Sequence, residues 1–277
     1  MRLDELVKTT AAQLQKCGIE NFECEARWLT LECCHSSATD LLLQKEVDAA
    51  SEAQLAELIR RRCRHEPLQY LLGTAFFGEF ELEVTPDVLI PRPETELLAQ
   101  WAADNLPQRG KLLDIGCGSG AIPIYVAAKR PDAVVTAVDI SPGALSVARR
   151  NAAKILPPQR ITFYESDLFA ALTGERFDLI TANLPYVTFD EYTSLQPEVR
   201  CYEPQLALTA DDNGMAIINR CISEITNHLF PCGKVIFELS PHQAEQCSTR
   251  LSQAGFAASI MPDQFGKNRF VTGQLLQ

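Results

Sequence analysis

The chain has 277 residues, 46% of them hydrophobic and 22% charged, and carries a net charge of −11. This is the profile of a folded globular protein of one large or two ordinary domains, and it counts against a disordered or collagen-like chain. An acidic chain also lacks the broad basic footprint with which nucleic-acid binders neutralise phosphates, and its one dense basic run, Arg60 to Arg64, is short.

The first seventy residues read as helices. Leu3, Leu6, Val7, Thr10, Ala11 and Leu14 recur at helical spacing, with Gly18 as a stop. A second helix is expected over Phe22 to His35. A third is expected from Ser51, with Gln54 as its capping-box partner and Leu55, Leu58 and Ile59 on one face; Pro67 ends it. Charges within the opening MRLDELVK argue against a signal peptide, and no apolar run approaches the ~20 residues of a membrane span. None of the ten cysteines forms paired CxxC spacing. The one Cys/His cluster, Cys33, Cys34 and His35, is too small for a zinc site. The cysteines are therefore expected to be reduced, half-buried thiols in a cytoplasmic protein, with no metal.

Residues 74–92 change character. Phe80, Leu82 and Val84, then Val88 and Ile90, recur at alternate positions and predict a β-hairpin joining two regions. Pro91 and Pro93 stop the strand, and Glu94 begins a helix. From Lys111 onward strands alternate with helices: KLLDIG, AVVTAVDI, ITFYES, FDLITAN and GKVIFELS are the strands, and 122–129, 143–154 and 214–230 the helices. That alternation implies a parallel sheet covered on both faces. FAASIMPD and RFVTGQLL leave little room for a crossover and suit an antiparallel pair at the sheet edge. The expected organisation is a helical domain over 1–73, a hairpin linker over 74–92 and an α/β domain over 93–277.

Four positions carry ligand chemistry. LLDIGCGSGAIPIYVA sets Gly116, Gly118 and Gly120 between a strand and a helix, where backbone can approach a ligand closely. The GxGxG spacing and Asp114, two residues upstream, suit a ligand with an ammonium group better than a dinucleotide pyrophosphate. Asp139 ends the second strand, where a carboxylate accepts from both ribose hydroxyls; Ser141 is the better helix cap there. Asp167, after the third strand, suits an adenine amino group, with Leu168 adding apolar contact. The fourth strand runs directly into TANLPYV (Thr181 to Val187), at the carboxyl edge where open α/β sheets place ligands.

Together, DIGCGSG, Asp139, Asp167 and NLPY resemble class I S-adenosylmethionine-dependent methyltransferases. LIPRPETE (Leu89 to Glu96), NLPYV, YEPQLAL (Tyr202 to Leu208) and Asn213-Gly214 narrow the resemblance to the HemK/PrmC family of protein-(glutamine-N5) methyltransferases, over essentially the whole chain. The family usually reads NPPY; Leu184 replaces the first proline here, and NLPY also occurs in ribosomal RNA adenine dimethyltransferases, which lack PRPETE and this N-terminal domain.

The resemblance implies a Rossmann-like fold and methyl transfer from S-adenosyl-L-methionine to the GGQ glutamine of peptide chain release factors, with S-adenosyl-L-homocysteine as product. It implies cofactor contacts from Asp114, Gly116, Cys117, Gly118, Ser119, Gly120, Asp139, Ile140, Asp167, Leu168 and Asn183. Catalytic and substrate contacts are implied for Asn183, Leu184, Pro185 and Tyr186, and substrate contacts for Arg92 and Glu94 at the entry, with Glu203 and Pro204 at the same mouth. An amide nitrogen is a poor nucleophile. Asn183 Oδ1 and the Leu184 carbonyl would accept its two hydrogens, Pro185 would stiffen the loop, and Tyr186 would offer a flat face. The expected protein is a monomer without membrane partners. The alternatives are an adenine N6-type amino methyltransferase acting on RNA or DNA, which the charge disfavours, and a cofactor-binding scaffold, which the intact loop disfavours.

Overall fold

The computed structural model describes residues 1–276 and separates into two compact units: Met1–Thr74 with Gln196–Tyr202, and Ala75–Leu195 with Glu203 to the C-terminal end. Among the described residues no helix is long and apolar enough to cross a membrane.

The first unit is helical: α1 (Leu3–Lys16), α2 (Phe22–Cys33), α3 (Ala38–Leu42), α4 (Ala49–Arg62) and α5 (Leu68–Leu72). Leu3, Leu6, Thr10 and Leu14 form the buried stripe of α1, as their spacing predicts. The core gathers Leu6, Leu14, Ile19, Ala26, Leu29, Leu55, Ile59 and Leu68. Two expectations fail here. Helix α4 starts before Ser51, because Asp48 is its cap: Oδ1 accepts from the backbone N–H groups of Ala50 and Ser51, both at 2.9 Å. And the cysteines are not all thiols, since Cys17 and Cys63 form a disulfide 46 positions apart. The basic run is also spent internally. Arg60 pairs with Glu57, Arg61 with Glu66, and the buried Arg62 with Glu25 at 2.6 Å and Glu198 at 3.0 Å.

The second unit opens with a small hairpin, β1 (Thr74–Phe77) and β2 (Phe80–Glu83), followed by α6 (Pro93–Asn105). The hairpin is shorter and earlier than its alternation suggests. Val84, Val88 and Ile90 are buried, but a turn in which the Val88 N–H donates to the Thr85 carbonyl takes them out of any ladder. Then come β3 (Lys111–Ile115), α7 (Ala121–Lys129), β4 (Val134–Asp139), α8 (Pro142–Ile155), β5 (Ile161–Glu165), β6 (Phe177–Ala182) and α9 (Phe189–Ser194). The next turn of helix, α10 (Pro197–Tyr202), belongs to the helical unit. The chain ends with α11 (Ala216–Ile225), β7 (Leu229–Glu238), α12 (Ala244–Gln253), β8 (Phe256–Pro262) and β9 (Asn268–Leu275). Helix α11 stops short of the expected Phe230 because β7 already begins at Leu229.

The seven-stranded sheet runs β5-β4-β3-β6-β7-β9-β8, parallel except for β9, which is antiparallel to β7 and β8. This is the mixed α/β sheet with an antiparallel edge that the strand pattern predicts. Neighbouring residues feed opposite cores. Leu112, Leu179 and Ile236 pack with α6, α7 and α8, whereas Leu113, Ile180 and Val235 pack with α11 and α12. Two apolar layers thus fix the sheet, and the ends of β3, β4, β6 and β7 line up along one carboxyl edge.

Candidate active site

The glycine turn is built from three left-handed positions, with φ of 72° at Gly116, 53° at Gly118 and 84° at Gly120. The N–H groups of Gly116 and Cys117 both donate to the Val138 carbonyl, and that of Gly118 donates to Asp139 Oδ2 at 2.8 Å. A Cβ on Gly120 would meet Ala148 Cβ at 3.2 Å, so glycine lets α7 approach α8. Asn151, fully buried on α8, donates to the carbonyls of Ser119 and Glu83 and ties the turn to the hairpin. The Cys117 thiol is buried and pushed far up by that burial, with Asp139 and Asp114 adding to the effect.

The carboxylates sit where the strands end. Asp114 is fully buried; Thr181 Oγ1 donates to its Oδ1 at 2.6 Å, while Oδ2 has no partner among the described residues. Burial, the largest influence, pushes its carboxyl up to about 8 against that hydrogen bond. Asp139 also accepts from the Ser141 N–H at 2.9 Å, and burial raises its pKa too. Ser141 caps α8, as expected, by accepting from the Ala144 N–H. Asp167 is exposed and paired with Arg220 at 2.8 Å, and Leu168 beside it adopts φ 50°.

The NLPY loop leaves β6 at Asn183, whose Nδ2 donates to Thr95 Oγ1 on α6 at 3.3 Å. Leu184 is buried, its Cδ2 3.3 Å from where a Cβ on Gly116 would stand. A leucine here therefore packs the loop against the glycine turn. The Tyr186 carbonyl accepts from Gln243 Nε2 at 2.8 Å, and that same nitrogen donates to the Asn213 carbonyl. Burial pushes the Tyr186 phenol up to about 12. Arg92 donates to the buried Glu203 at 2.7 Å.

These groups surround one cavity of about 350 Å³, the size of a small-molecule pocket. Its wall includes Arg92, Gly116, Cys117, Gly118, Ser119, Asp139, Ile140, Asp167, Leu168, Asn183, Leu184, Pro185 and Pro204. Asp114 and Gly120 lie behind that wall; Glu94 and Tyr186 do not line it either. Sequence reasoning missed Thr95 and Arg220, which line the cavity, and Gln243 and Glu238, which support its loop. Glu238 had a readable signal, a carboxylate closing an apolar strand like Asp139; Thr95 and Gln243 had none.

Residues 5–73 match the model of the PrmC N-terminal domain, and residues 93–196 that of the methyltransferase small domain. The release factor glutamine methyltransferase of Geobacter sulfurreducens is 36% identical over 269 residues, 96% of this chain and 94% of its own length. That of Deinococcus radiodurans is 36% identical over 98% of both chains. The chain belongs to the release factor glutamine methyltransferase family. The resemblance read from PRPETE and NLPY is thereby met, and the family is one of enzymes. Among solved structures, a methyltransferase from Pyrococcus furiosus superposes with a TM-score of 0.56 at 20% identity, over 79% of this chain and 99% of its own. The 16S rRNA N2 G1207 methyltransferase of T. thermophilus superposes at 0.53 and 17% identity, over 73% and 49%. Those two establish the methyltransferase fold of the sheet.

The cavity suits a donor molecule of the family's kind. Behind it, Asp114 keeps an oxygen without a hydrogen-bond partner among the described residues, Gly118 has open space where a side chain would stand, and Asp139 is held in its wall by two backbone N–H groups.

Proposed function

We propose that this protein transfers a methyl group from S-adenosyl-L-methionine to the side-chain amide nitrogen of the GGQ glutamine in peptide chain release factors. The observation that carries the reading is the 36% identity, over nearly the full length, with release factor glutamine methyltransferases, combined with an NLPY loop whose Asn183 stands in the wall of the cavity. S-adenosylmethionine supplies a methyl on a sulfonium, an electrophile that needs no activation by the protein. The Gly116–Gly120 turn with Asp114 would hold its amino-acid end, Asp139 its ribose, and Asp167, which here pairs with Arg220, together with Leu168 and Ile140 its adenine.

Acceptor handling falls to the loop. Asn183 Oδ1 and the Leu184 carbonyl accept the two hydrogens of the glutamine NH2 and aim its nitrogen, and Pro185 fixes the loop's course. Tyr186 backs the loop from outside the cavity wall, and Arg92 and Glu94 shape the entry. Positioning of this kind removes on the order of 7–11 kcal/mol in favourable cases. The helical unit docks the body of the release factor, the protein acts as a monomer in the cytoplasm, and a nucleic-acid substrate is disfavoured by a basic run whose Arg60, Arg61 and Arg62 are already paired.

Incubation with S-adenosylmethionine and a purified release factor, with mass spectrometry of the GGQ peptide, tests the reading. A gain of one methyl on glutamine is expected. Asn183→Ala should lower kcat by about 10²- to 10³-fold, as losing one preorganised polar contact to a reacting group does, with S-adenosylhomocysteine affinity unchanged by calorimetry. Unmodified glutamine with methylated adenine in a parallel RNA assay would reverse the assignment.

A further inference from the structure

Glu238 closes β7 beside Asn183. Ala182 of β6 is in register with Phe237 of β7, so the next residue of each strand, Asn183 and Glu238, emerges side by side at the carboxyl edge. Glu238 is only 2% exposed, and its Oε2 has no hydrogen-bond partner among the described residues. Thr95 and Asn183 lie beside the carboxyl and, as potential donors to it, hold its pKa down. Thr95 Oγ1 in turn accepts from Asn183 Nδ2.

The arrangement has a direction. An ionised carboxylate only accepts, so Thr95 must turn its single proton toward Glu238, which leaves the Thr95 lone pair for an N–H of Asn183. A carboxamide is nearly isosteric about its axis, and its neighbours alone decide which end is oxygen. We propose that Glu238 is a positioning residue for methyl transfer: through Thr95 it keeps the Asn183 NH2 turned inward, so that the carboxamide oxygen faces the cavity and accepts from the substrate amide. The inference rests on the acceptor role assigned to Asn183 above.

Direction is lost when Glu238 takes up a proton. The carboxyl then has an O–H of its own to give, Thr95 is no longer obliged to point at it, and Asn183 is free to rotate. A rotated Asn183 sets an NH2 against the substrate NH2. Burial pushes Glu238 up to about 7, with Glu94 on α6 also raising it; Thr95 on α6, Arg269 on β9 and Asn183 oppose the rise. Tyr186 faces the same carboxyl, and Arg269 is shared with Asp263. Protonation therefore falls inside the range in which enzymes are assayed.

The test is kcat at saturating substrates from pH 6 to 9, for wild type and Glu238→Gln. Wild-type kcat should rise through an inflection near pH 7. Glutamine can donate as well as accept, so Glu238→Gln should lack the inflection and lie about 10- to 100-fold lower at pH 8. S-adenosylhomocysteine affinity and melting temperature should not fall. Thr95→Val, which keeps the shape and removes the relay, should lose the same inflection. A flat wild-type profile, or variants with wild-type kcat and profile, would overturn the inference, as would Glu238→Gln losing S-adenosylhomocysteine affinity together with kcat.

A second readout does not depend on the acceptor. The Asn183 side-chain amide resonances, identified by their loss in Asn183→Ala, should shift with a midpoint near pH 7 in wild type and not in Glu238→Gln. Absence of that shift overturns the inference even in an active enzyme. Its presence in a protein that modifies no release factor overturns only the functional reading.

Discussion

The two units differ in how most of their buried charge is treated. In the helical unit the buried charge is a guanidinium, Arg62, closed off by Glu25 and Glu198. In the sheet unit five carboxyls are buried: Asp263 is held low by Arg269 at 3.0 Å, whereas Asp114, Asp139 and Glu238 in or at the ends of strands, and Glu203 after α10, all have their pKa raised by burial. Among the four raised carboxyls, only Glu203 has a cation at hydrogen-bond distance, Arg92; Asp114 and Glu238 each keep an oxygen without a partner. A closed ion pair has nothing left to offer a ligand. A carboxyl kept short of partners costs the fold stability and holds its remaining valence for a ligand or a positioned side chain, the usual signature of a working site.

Removing the guanidinium should break the comparison hardest. Arg62→Ala leaves Glu25 and Glu198 facing each other in a half-buried site and should cost about 3–5 kcal/mol. Followed by Trp28 emission in a Trp101→Phe background, the helical transition should move to lower denaturant, with S-adenosylhomocysteine affinity unchanged. An unmoved midpoint would make the pair dispensable. Next in size is Cys17→Ser, which opens the cross-link between the C-terminal ends of α1 and α4 and should cost about 2–4 kcal/mol in the same transition under oxidising conditions, and nothing under reductant.

Asp114→Asn sharpens the contrast from the other side. A raised carboxyl pKa means the folded state holds the proton more tightly than the unfolded chain does. Wild-type stability should therefore decline as pH rises from the ordinary carboxyl range to about 8. The asparagine variant should show a smaller decline, since Asp139, Glu203 and Glu238 still contribute theirs, and be no less stable at pH 8. Its ligand affinity should nevertheless fall by about 10- to 100-fold, the worth of one charge-assisted hydrogen bond. Calorimetry at pH 7 in buffers of different ionisation enthalpy should detect a proton released when wild type binds S-adenosylhomocysteine, since pairing with the ligand's ammonium group requires the carboxylate. Buffer-independent heats would remove Asp114 from that role.

Legibility in the sequence followed the range of the interactions. The strands of the sheet are short apolar runs with helices between them, and the glycine turn and the carboxylates after β4 and β5 are local patterns, so all were readable. Val84, Val88 and Ile90 misled because alternation reports burial, and burial does not require a ladder partner. Ser51 misled because Asp48, three residues earlier, makes the same bonds with a charged oxygen. Cys17 and Cys63 meet across 46 positions, a pairing that no spacing announces. Thr95 and Gln243 serve the NLPY loop from 88 and 57 positions away. Only the folded chain brings them to it.

Gln243 has a further consequence. Its one amide nitrogen holds the carbonyls of Tyr186 and Asn213, and Gly214 leaves room for it, since a Cβ there would lie 2.0 Å from the Tyr186 oxygen. This anchor is neutral at every pH and indifferent to salt. Acidity can therefore turn the Asn183 carboxamide about its own axis but cannot shift the loop that carries it. The enzyme's aim is adjustable while its footing stays fixed.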